Sequence, residues 1–173
     1  MASTDLDASR ARALGQELVA IHDSLRTELT RIRADVTAYA AASELRPTQL
    51  RAHCTAFCAA LTRHHTGEDI AGFPALAGQF PELAPVLAEL RTDHQLVADI
   101  LRRLTELLDS IGLDNADTVR RELDGLAAIL ESHFHWEERR LVQAFDELEM
   151  GTRTGEELLG VTVAVDRMRS ARD

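Results

Sequence analysis

The stretch LAAILESHFHWEERRLVQAF, residues 126–145, decides the fold. Its Leu126, Leu130 and Leu141, continued by Val119, Leu123, Ala144 and Leu148, recur at helical spacing, the pattern of a helix with one buried face. His133 and Glu137 fall on that same face, between Leu130 and Leu141. An isolated buried polar group costs about 1–3 kcal/mol, and an ionised carboxylate much more. This helix therefore needs neighbours that answer an imidazole and a carboxylate.

Three further apolar stripes lie N-terminal to it. Val86, Leu90, Val97, Leu101, Leu104, Leu108 and Ile111 mark a third helix that begins near Glu82, after Pro81, and stops at Gly112, with His94 on its core face. Leu50, Phe57, Leu61, His64 and Glu68 share one face of a second helix, from Pro47 to about Gly72, where GFP interrupts it and a connector of about nine residues follows. Leu14, Leu18, Ile21, Leu25, Leu29, Ile32, Val36 and Tyr39 define a first helix over roughly residues 8–41, with His22 between Leu18 and Leu25. Strands are not evident. Four long helices with short connections predict an all-α, up-down-up-down four-helix bundle over residues 1–150. The tail, 151–173, has room for a short fifth helix over 155–170.

Axial position lets the polar groups meet. At 1.5 Å per residue, His94 and His133 both lie about 25 Å from their shared turn, and His22 and His64 agree to within about one helical turn. The spacing repeats: His64 follows His22 by 42 residues and carries Glu68 four later, while His133 follows His94 by 39 and carries Glu137 four later. Two equivalent half-sites predict two metal ions. Four imidazoles and two carboxylates suit Fe, Mn or Zn, with the carboxylates available to bridge. Any one of these histidines alone reads as a hydrogen-bonded core or surface residue; six polar groups at one level of a bundle do not.

Composition narrows the function. The 173 residues are 45% apolar, enough for one domain with a sizeable core. Nineteen basic residues, all Arg, against 29 acidic ones give a charge of -10, the wrong sign for a phosphate-tracking surface, so nucleic acid is not an expected partner. Without lysine there is no Schiff-base lysine and no GK[ST] phosphate loop. No apolar run approaches the ~18 residues of a membrane span, and the N-terminus lacks a signal-peptide core, so a soluble cytoplasmic protein is expected. Cys54 and Cys58, four apart on one helical face, are expected to be free thiols and small core residues.

With H22, HHTGE (64–68), DH (93–94) and HFHWE (133–137) in place, the chain resembles the hemerythrin and HHE cation-binding family across roughly residues 10–149. The resemblance implies a non-haem di-iron site with an oxo or hydroxo bridge. It also implies His22 and His64 on one iron, His94 and His133 on the other, and Glu68 and Glu137 bridging. Oxygen-carrying members have two histidines one turn apart on the third helix, whereas Leu90 and Ala98 stand one turn either side of His94 here. Their second bridging carboxylate is an Asp five residues after its His, not a Glu four after.

The family implies reaction with or binding of O2, NO or hydrogen peroxide. The missing nitrogen beside His94 leaves an open position, which favours catalase-like peroxide turnover. The alternatives are an O2- or NO-binding module, an iron-buffering bundle, and a di-iron oxidase acting on a small organic substrate. His65 borders the site. It is expected either as an extra ligand to the His22/His64 iron, as a proton donor, or in an interhelical hydrogen bond. His53, about 16 Å along the axis from His64, fits a pocket or core role. His135 is expected on the surface, and Phe134 and Trp136 in packing.

Overall fold

The computed structural model describes residues 2–41 and 46–161, with side chains from residue 14 onward. Helix α1 spans Ala2–Ala40, beginning several residues before the expected start. Helix α2 spans Pro47–Gly67, with Pro47 in its first turn as the missing proline N–H allows. The chain does not break at the GFP tripeptide. It passes through a π-helical stretch, Glu68–Gly72, directly into α3, Phe73–Gln79. The Phe73 N–H donates to the Glu68 carbonyl, five residues back. In an uninterrupted α-helix the Pro74 ring would clash with the carbonyl four residues earlier. The wider turn admits Pro74 without ending the helix, so the connector expected after Gly72 is helical for its first seven residues.

A 3-10 turn, Pro81–Leu83, leads into α4, Ala84–Asp109, and α5 spans Ala116–Glu147. Asn115 ties the α4–α5 corner: its Oδ1 accepts from the Gly112 N–H at 2.9 Å, and its Nδ2 donates to the Ser110 carbonyl at 3.1 Å. Helix α1 packs along α5, α4 along α5, and α2 against both α1 and α4, an antiparallel bundle with no strand among the described residues. The predicted stripes form the core: Leu18, Ile32, Val36, Leu61, Leu90, Val97, Leu104, Leu123, Leu126 and Leu141 are all buried. No helix among the described residues is long and apolar enough to cross a membrane.

Of the expected tail helix, Gly155–Leu159 is helical and forms α6. Residues 162–170 lie outside the described residues. Helix α6 is docked, with Leu158 and Leu159 buried against α2 and the π-helical stretch.

Candidate metal centre

All six predicted side chains, His22, His64, Glu68, His94, His133 and Glu137, are buried and converge at one level of the bundle. Each helix delivers its share from a core-facing position, and Glu68 opens the π-helical stretch. The Nε2 atoms of His22 and His64 face each other at 3.1 Å, and those of His94 and His133 at 3.2 Å. Glu68 spans the two pairs, with Oε1 3.5 Å from His64 Nε2 and Oε2 3.5 Å from His94 Nε2. From the opposite wall, Glu137 Oε2 lies 3.4 Å from His22 Nε2 and 3.5 Å from His133 Nε2.

The outward nitrogens explain why the inward ones converge. His22 Nδ1 pairs with Glu138 Oε1 at 2.9 Å, and Arg26 Nη1 donates to that same oxygen at 2.9 Å. His94 Nδ1 pairs with Asp69 Oδ1 at 2.9 Å and His133 Nδ1 with Asp93 Oδ2 at 3.2 Å. His64 Nδ1 donates to the Leu159 carbonyl at 2.9 Å. An acceptor behind each imidazole orients the ring and points Nε2 inward, where it is the nitrogen a cation would take, the arrangement of metal-ligating histidines. None of these acceptors was predicted, although Asp69, Asp93 and Glu138 each adjoin a predicted ligand in sequence. Each serves a histidine on a different helix.

Electrostatics without a cation are unfavourable. Burial and the neighbouring Glu137 hold the Glu68 carboxyl well above the usual carboxylate range. Burial opposes the charge on Glu137 too, but His22, His133 and His64 around it bring its carboxyl below that range. Burial and the adjacent His22 push His64 down to about 3. Burial would depress His22 as well, yet its contacts with Glu137 and Glu138 leave it raised. Both oxygens of Glu68, both of Glu137 and Nε2 of His65 are buried without a hydrogen-bond partner. Divalent cations would satisfy all five at once, and nitrogen and carboxylate donors are the set that iron, manganese and zinc accept. The residues present fit such ions.

His65 lies where the sequence did not put it. One atom each from His65, His94 and His133 falls within 4.8 Å of the others, and the second such group is His22, His64, Glu68 and Glu137. The His65 ring stacks on His94 at 4.0 Å and 11°, and its centroid is 5.1 Å from that of His133. It therefore joins the His94/His133 side rather than the expected His22/His64 side. Successive helical residues point about 100° apart, so His64 turns toward α1 and His65 toward α4.

Phe134 packs as expected, its ring stacked on His22 at 4.0 Å, but Trp136 is 38% exposed with Arg140 over its face. His53 is half-buried between Glu28 and Asp35 and makes no contact with the centre, while His135 is exposed. Cys54 and Cys58 are buried free thiols, and burial pushes them up to about 12 and about 11.

Comparison with curated proteins finds no match, and comparison with solved structures finds none either. A profile of the hemerythrin HHE cation-binding domain matches residues 14–145. That span includes every side chain of the centre and most of the chain: the protein belongs to the hemerythrin HHE cation-binding family.

Proposed function

We propose that the protein is a non-haem di-iron protein whose centre binds a small ligand of the O2, NO or hydrogen peroxide class. The observation that carries this is the set of buried, unpartnered donor atoms on Glu68, Glu137 and His65, enclosed by imidazoles that point their Nε2 atoms inward. His22 and His64 would hold one iron and His65, His94 and His133 the other, with Glu68 and Glu137 shared between them. Two adjacent irons, when bound, supply the redox equivalents with which such ligands combine.

The chain's own residues shape what can reach them. Phe134 against His22 and Phe73 against His94 at 5.4 Å cover the centre with apolar rings on two sides. A cleft of roughly 150 Å³ between α2 and α4, lined by Thr62, His65, Thr66, Asp69 and His94 among others, opens beside the His65 side. A second cleft of roughly 310 Å³ lies between α1 and α5, lined by Arg26, Glu131 and Phe134 among others, beside the His22 side. The case for peroxide turnover rests on a missing nitrogen beside His94. His65 offers a nitrogen on that side, and reversible binding becomes the better-supported reading.

Anaerobic reconstitution with ferrous iron followed by elemental analysis is expected to give two irons per chain; one or none would overturn the di-iron reading. On stopped-flow mixing with O2 or NO, the loaded protein should show a visible absorption change that reverses under argon, with peroxide decay no faster than a free-iron control. Sustained oxygen evolution from peroxide, lost in His94→Ala, would replace binding with turnover.

A further inference from the structure

The acceptor behind His64 differs from the other three. His22, His94 and His133 are backed by carboxylates carried on the bundle helices, but His64 is backed by the main-chain carbonyl of Leu159, 95 residues away. Leu159 is the last residue of α6 and lies beyond residue 145, where the family match ends. A carbonyl only accepts hydrogen bonds, so this contact fixes His64 as the Nδ1–H tautomer and leaves Nε2 bare toward the centre.

The segment is built to hold that carbonyl in place. At its start the Glu157 N–H donates to Thr154 Oγ1 at 3.2 Å, and Glu157 Oε2 accepts from the Thr154 N–H at 2.8 Å, a reciprocal cap. At its end Gly160 takes φ +75°, and its N–H donates to the Glu156 carbonyl at 2.8 Å. Two glycines bring the backbones together there. A Cβ on Gly67 would sit 2.3 Å from the Gly160 nitrogen, and one on Gly160 would sit 1.9 Å from the Arg63 carbonyl oxygen. Gly67 is the G of HHTGE, so the motif that carries His64 and Glu68 also carries the residue that lets α6 approach.

We propose that residues 154–160 are a strap belonging to the metal centre, in which the Leu159 carbonyl is the positioning group for His64 and the His22/His64 half-site reaches full cation affinity only with the strap docked. This rests on the reading of the cluster as a two-metal centre. A strap that merely completes the core would move stability and leave metal affinity alone.

The test uses the full-length chain with Co(II), followed by calorimetric titration and the visible spectrum of the bound ion, alongside ¹⁵N NMR of the histidine rings in the chelated protein. Wild type is expected to take up two equivalents and to show His64 as the Nδ1–H tautomer. Gly160→Ala, which places a methyl against Arg63, should lose that tautomer signal. It should also weaken one equivalent by roughly 10–100-fold, the range for removal of a group that orients a metal ligand, while the other equivalent stays unchanged.

Thr154→Ala, which loosens only the cap, should act in the same direction more weakly and serves if Gly160→Ala does not fold. Leu123→Ala, a core truncation outside the strap, should lower the melting temperature and keep both affinities. If wild type binds two equivalents and both strap variants keep both affinities, the strap proposal is overturned while the centre stands. If wild type binds no cation although the His64 Nδ1–H signal is intact, the two-metal reading itself falls, and the proposal with it.

Discussion

His64 and His65 are joined by one peptide bond and serve opposite sides of the centre. His64 points its Nε2 at His22, and His65 stacks on His94 with its own Nε2 unpartnered. The consequence is testable by coupling. Residues that hold one ion together should show non-additive losses, and residues on different ions additive ones. His65→Ala is expected to weaken one Co(II) equivalent and to couple with His94→Ala, while its effect adds independently to that of His22→Ala. Coupling with His22→Ala instead would restore the His22/His64 side that the family resemblance implied.

The π-helical stretch Glu68–Gly72 does two things: it admits Pro74, and it presents Gly72 to the strap. A Cβ on Gly72 would lie 2.5 Å from the Leu158 carbonyl oxygen, and neither backbone can yield without moving α6. Gly72→Ala should therefore destabilise the fold by about 1–3 kcal/mol, the usual range for overpacking. Gly78, in α3, has nothing within 4 Å of a built Cβ, so Gly78→Ala should stabilise by about 0.5–1 kcal/mol through helix propensity. Urea denaturation of the two variants is expected to shift the midpoint in opposite directions. A Gly72→Ala protein as stable as wild type would mean that α6 does not press on the stretch.

Without cations the centre would be a liability, since it gathers two carboxylates and five imidazoles in the middle of an apolar bundle. Ligand that binds only the folded state stabilises it by about 4 kcal/mol at a thousandfold excess over its dissociation constant. At roughly 2–4 °C per kcal/mol for a chain of this size, chelation should lower the melting temperature by about 10 °C. Glu68→Ala should lose metal and melt near the chelated wild type. An unchanged melting curve after verified metal removal would show that the seven groups satisfy one another through protons.

Periodicity is local, and what is local was legible. The four stripes, the bundle and the six inward polar groups follow from a 3.6-residue repeat that any helix of this sequence must display. The level at which those groups meet follows from counting residues at constant rise. Sequence alone could not assign His65 to a side, because a 100° step between neighbours leads to either seam until the positions of α1 and α4 around α2 are fixed. Nor could it find the partners of the imidazoles. Asp69, Asp93 and Glu138 adjoin predicted ligands in sequence but serve histidines on other helices, so each pairing depends on how the helices pack. The carbonyl of Leu159 has no side-chain signature at all. Its role exists only because α6 folds back across 95 residues onto a glycine that leaves room for it.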